Sequence, residues 1–91
     1  MDREEFHEWQ IRRAARLLQR ATHAKYTVCR KYVEDVHKDE NGDADYVHYH
    51  IFSVYDKPFE VDEEIIFRLR CVSCGGNTFA FAVKTYLVVE D

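Results

Sequence analysis

Ninety-one residues with 46% hydrophobic and 14% aromatic content, one proline and three glycines suit a single domain with one core, and exclude a second domain or a long linker. The formal net charge of −4 removes any general attraction to nucleic acid, and no apolar run approaches the roughly 20 residues that a membrane span needs. Three cysteines, an odd number, and the charged opening Met1-Asp2-Arg3-Glu4-Glu5 lead us to expect a soluble protein in a reducing, cytoplasmic (intracellular) compartment.

Asp2 with Glu5 three residues later has the form of a capping box. No glycine or proline occurs before Gly42, so the spacing predicts a helix from about Arg3 to about Ala21. At 100° per residue Phe6, Ile11, Ala14, Leu17, Leu18 and Ala21 share one arc, with His7 and Gln10 inside it. The opposite arc carries Glu5, Glu8, Arg12, Arg13, Arg16, Arg20 and Trp9. Tryptophan and arginine combine large contact area with oriented donors, so Trp9, Arg12, Arg13, Arg16 and Arg20 form a candidate partner-binding face. The alternative is a tryptophan lying over the helix edge beneath arginine stems. Charge is segregated along the chain: residues 1–31 are net basic, residues 34–46 hold six acids, and residues 56–64 hold five.

Thr22-His23-Ala24 turns the chain. Lys25–Val36, rich in Tyr26, Thr27, Val28, Tyr32, Val33 and Val36, is predicted as strand one. The Asn41-Gly42 pair suits a hairpin turn, and strand two runs from about Asp45 to Tyr55, ended by Pro58. An acidic linker, Glu60 to Glu64, leads into a long hairpin of Ile65–Val72 and Thr78–Val89 bent at Cys74-Gly75-Gly76-Asn77. Ile65, Phe67, Leu69 and Cys71 alternate with arginines, and Phe79, Phe81, Val83, Leu87 and Val89 fall on one parity, the period of a strand with one buried face. The expected fold is α+β, one N-terminal helix packed on a four-stranded antiparallel sheet. Strand four, long and apolar, offers an edge for homodimerisation.

Cys71-x-x-Cys74-Gly75-Gly76 is the strongest local chemical signal. A Cys-x-x-Cys-Gly turn between two strands is the knuckle of zinc ribbons, where both thiolates reach one ion at about 2.3 Å. One knuckle supplies half a site; His48 and His50, on one face of strand two, are candidates to complete a Cys2His2 set. The other reading makes Cys71 a small core residue and Cys74 a turn residue. Catalysis is not expected. Ser53 and Ser73 lie outside any Gly-x-Ser-x-Gly setting, and Cys29 belongs in the core. The acids of Asp39-x-Asn41-x-Asp43-x-Asp45 lack the glycine and distal glutamate of an EF-hand loop.

Lys31-Tyr32-Val33-Glu34-Asp35-Val36-His37, then Gly42-Asp43-Ala44-Asp45-Tyr46-Val47-His48-Tyr49-His50-Ile51-Phe52 and Lys57-Pro58, resemble the central hairpin of the intracellular cystatins, or stefins. The resemblance covers about a third of the chain. It implies a cystatin-like wrap of sheet around helix and a non-enzymatic protein inhibitor that needs no cofactor. Where cystatins carry Gln-x-Val-x-Gly this chain reads Lys25-Tyr26-Thr27-Val28-Cys29, so no functional residue is carried over. Two functional readings remain: a protein-binding module, inhibitor-like and without cofactor, or a small domain stabilised by zinc.

Overall fold

The first helix, α1 (Arg3–Thr22), starts where the capping signal places it: the Asp2 carboxylate accepts the Glu5 amide at 2.8 Å. The structure, a computed structural model, describes residues 1–46 and 49–89. His23 ends α1 in the left-handed region (φ 61°), donating its amide to the Gln19 carbonyl. The buried stripe is Ile11, Ala14, Ala15, Leu18 and Thr22, whereas Phe6 and Ala21, expected inside, are exposed. The rotation has a cause: a second helix covers the Ala15 side.

That helix, α2 (Tyr26–Val36), replaces the strand expected over Lys25–Val36. β-propensity is overridden by helical period. Tyr26, Cys29, Val33 and Val36 recur every three or four residues and face the core, with Cys29 and Val33 fully buried. Arg30–Glu34 and Lys31–Asp35 close as i,i+4 pairs at 2.7 and 2.9 Å. Arg30 also clasps both Glu8 carboxylate oxygens at 2.7 and 2.5 Å, tying α2 to α1, and this hydrogen bonding holds the Glu8 carboxyl below its usual range. With both partners part-exposed, Arg30→Met is expected to cost about 1 kcal/mol, read as a lower urea midpoint with unchanged slope.

Beyond α2, Asn41 and Asp43 donate their amides to the Asp39 carboxylate, and Gly42 takes φ 83°. Asn41 keeps a negative φ, so the expected Asn41-Gly42 turn is anchored by the Asp39 carboxylate and is not of type I′, which needs a positive φ at both positions. Strand two contracts to β1 (Phe52–Val54); Val47 and His48 lie outside the described residues. The expected acidic linker holds a strand of its own, β2 (Phe59–Val61), which turns tightly through Asp62 (φ 56°) into β3 (Glu64–Cys71). β4 (Thr78–Lys84) ends earlier than expected, in a 3-10 turn at Thr85–Leu87.

The sheet is antiparallel and four-stranded, centred on β3. β4 pairs along one edge of β3 from Arg70↔Thr78 to Glu64↔Lys84. β1 and β2 share the other edge end to end, at Phe52↔Cys71 and Phe59↔Ile66. Four residues, 55–58, therefore face only Phe67 and Arg68, and Asp56-Lys57-Pro58 bulges outward. Phe52, Phe67, Leu69, Phe81 and Val83 pack towards the helices, while Arg68, Arg70, Ala80, Ala82 and Lys84 on the alternate parity are exposed. On β4, the strand expected to offer a pairing edge, the Tyr32 hydroxyl donates to the Ala80 carbonyl at 3.0 Å. Among the described residues no helix is long and apolar enough to cross a membrane.

Candidate metal centre

The bend after β3 is short, and Gly75 (φ 71°) and Gly76 (φ 89°) make it possible, because only glycine takes two such conformations in succession at little cost. The Cys71 amide donates to the Asn77 carbonyl across it. Cys74 is thereby folded back over Cys71. On the other edge, the pairing of Phe52 with Cys71 sets the parity of the residues before β1, so His50 and Phe52 share a face with Leu69 and Cys71.

His50 Nδ1 lies 3.2 Å from Cys71 Sγ and 3.1 Å from Cys74 Sγ, and the three ligand atoms fit within 4.8 Å of one another. A zinc ion with bonds of about 2.3 Å to sulfur and 2.0 Å to nitrogen would hold sulfur and nitrogen about 3.5 Å apart, so loading requires these atoms to part by only a few tenths of an ångström. Cys71 is fully buried; Cys74 and His50 are half-buried. Burial works to raise the Cys71 thiol, but hydrogen bonds with Cys74, Ser73 and His50 outweigh it and bring the group down to about 6. Burial and the neighbouring Cys71 sulfur push Cys74 up to about 11. The pair thus shares one proton near neutrality, and a divalent ion would displace it.

No protein-family model, no curated protein and no solved structure matches the chain. The site's chemistry therefore rests on its own geometry.

Two residues outside the expected set hold it in place. Ser73 donates its hydroxyl to the Tyr49 carbonyl at 2.6 Å while its oxygen sits 3.2 Å from Cys71 Sγ. His37, buried at the end of α2, donates Nδ1–H to the Val33 carbonyl at 2.7 Å and accepts the His50 amide on Nε2 at 2.6 Å. A carbonyl can only accept and an amide only donate, so these two bonds fix the neutral tautomer. Its place one helical turn after Val33 is the signal that a helical reading of Lys25–Val36 offers. His50 also stacks on Phe52 (5.9 Å between centroids) and meets Phe79 edge-on (5.4 Å), which restricts its ring.

Burial lowers His37 below its ordinary value, with the Val33 bond opposing, His50 and His7 adding to the lowering, and Asp45 opposing. The unfolded chain takes up this proton near pH 6.5 and the native state does not. His37 therefore contributes stability above about pH 6.5 that is lost as pH falls from there through its native value, by up to about 1.4 kcal/mol per pH unit. In chelator-treated protein, His37→Gln, whose amide can both donate to Val33 and accept from His50, is expected to flatten the fall in urea midpoint between about pH 7 and pH 5. A fall as steep as the wild type would place the titration elsewhere.

Of the expected ligands, Cys71, Cys74 and His50 converge, and His48 lies outside the described residues. Cys29 sits in the core between Thr22 and the Ala24 carbonyl, where burial pushes its thiol up, so it stays a protonated packing residue. Trp9 and Arg12, Arg13, Arg16 and Arg20 are brought together on exposed α1, where with Leu17 they line an open groove of about 390 Å³. The groove residues and the sulfur-bearing site belong to different elements.

Proposed function

We propose that the protein is a small, non-enzymatic binding domain that takes one zinc ion at His50, Cys71 and Cys74. The observation that carries this is the convergence of one imidazole nitrogen and two sulfurs, from two separate stretches of chain, within 4.8 Å of one another. Two thiols and an imidazole are a soft-to-borderline donor set, which favours zinc over magnesium or calcium. The protein would supply three corners of the tetrahedron, and a fourth donor, from solvent or from the protein, completes it.

The role of the ion rests on the parts it joins. The bend at 72–77 has little core of its own: Val72, Ser73, Gly75, Gly76 and Asn77 are all exposed. His50 belongs to the irregular stretch that enters β1. A metal would clamp these two stretches together and fix the end of the sheet, as structural zinc does in ribbons.

Competition against a chromophoric chelator tests the proposal. One zinc per chain is expected, with Kd near 10 nM or tighter, weakened more than about a hundredfold by Cys74→Ser and unchanged by Cys29→Ala. Cys74 is the better target because it is half-buried in a turn, whereas Cys71 is part of the core. Zinc binding that survives Cys74→Ser undiminished would overturn the assignment.

A further inference from the structure

The exposed face of α1 carries an observation independent of the metal centre. Several cations elsewhere are answered within the molecule: Arg30 by Glu8 and Glu34, Lys31 and Lys38 by Asp35, Arg68 by Asp56. On the groove, Arg13, Arg16 and Arg20 have no carboxylate partner among the described residues, and Arg12 is 3.9 Å from a Glu8 already held by Arg30. Three of these guanidinium groups thus stand without a counter-ion beside an apolar floor. Trp9 is 47% exposed and stacks on Phe6, itself 45% exposed, with ring centroids 6.0 Å apart. Leu17 continues the floor two turns further on, about 12 Å along the axis.

We propose that this groove docks an acidic amphipathic α-helix of another protein. Charge complementarity selects the occupant. Arg16 and Arg20 follow Arg12 at four-residue steps and Arg13 at steps of three and four, which is the spacing at which a helix lying alongside would present a row of Asp and Glu. The apolar floor from Trp9 to Leu17 accepts that helix's apolar stripe, and tryptophan ringed by arginine is the composition of an interface centre. A nucleic-acid strand fits less well: Trp9 and Leu17, about 12 Å apart along the axis, match the apolar stripe of an amphipathic helix, which a row of phosphates lacks. A second copy of this chain also fits less well, because the acids of its own second helix, Glu34 and Asp35, are already paired with Arg30, Lys31 and Lys38.

Trp9 is the chain's single tryptophan, so its fluorescence reports directly on the groove. The probe is a synthetic helix of about five turns, leucine on one face and glutamate flanking it, titrated beside a matched peptide with lysine for glutamate and a single-stranded oligonucleotide. The glutamate peptide is expected to blue-shift the emission with half-saturation at tens of micromolar. The shift should weaken at least tenfold in Arg16→Glu or at high salt, with the melting temperature of that variant within about 2 °C of wild type. The lysine peptide and the oligonucleotide should leave the emission unchanged. No shift with the glutamate peptide, an equal shift with the lysine peptide, or a shift with the oligonucleotide alone would each overturn the proposal. Chelator has no place in the titration, so failure of the zinc assignment would leave this result intact.

Discussion

Leu69→Ala is expected to destabilise the protein by about 3–5 kcal/mol, a third or more of the total stability of a domain this size. Leu69 is fully buried at the middle of the central strand, paired with Val54 on one side and Phe79 on the other. Backbone ladders on both edges keep the strand from moving inward to fill the void, so the cavity term adds to the lost transfer energy. Urea titration should show a lower midpoint with an unchanged slope. Arg68→Ala, one residue away on the exposed face, should cost no more than about 1 kcal/mol, since it loses only the 3.3 Å pair with Asp56 and the contact with Phe59. Equal losses at the two positions would mean that the sheet buries its other face.

Zinc is expected to add about 4 kcal/mol of stability when free metal stands at a thousand times Kd, because the ion binds the native arrangement and the unfolded chain scatters its ligands. For a domain of this length that corresponds to a fall in Tm of at least about 15 °C when a chelator strips the metal. The loss should be localised at first: amides of residues 49–51 and 72–77 should exchange faster, while those in the middle of β3 and β4 keep their protection. Cys74→Ser protein should match the chelated wild type and gain nothing from added zinc. Unchanged Tm and exchange after chelation would show that the three side chains pack together without an ion.

The β3–β4 hairpin was legible because its alternation is clean: Phe67, Leu69 and Cys71 point inward between arginines, and Phe81 and Val83 do so on the partner strand. His50 entered the candidate set only as a partner of His48 on one face of strand two; the register that brings it to the knuckle, Phe52 opposite Cys71, is not written in that alternation. α2 was hidden because Tyr, Thr, Val and Cys are strand-favouring residues individually; only the 26–29–33–36 spacing and the i,i+4 pairs of Arg30 and Lys31 betray a helix. β2 was hidden for a different reason. Its three residues are all exposed, so no burial pattern marks them, and the strand exists through its ladder with Ile66, Ile65 and Glu64. The support of His50 by His37 depends on where α2 ends, and so became visible only with the helix in place.

The most direct measurement is native mass spectrometry of protein purified without chelator. A species about 63 Da heavier per chain than the apoprotein, one ion replacing two protons, is expected in the wild type and absent from Cys74→Ser and His50→Asn. A metal-free wild-type spectrum after zinc has been supplied, or an adduct that persists in both variants, would contradict the metal centre.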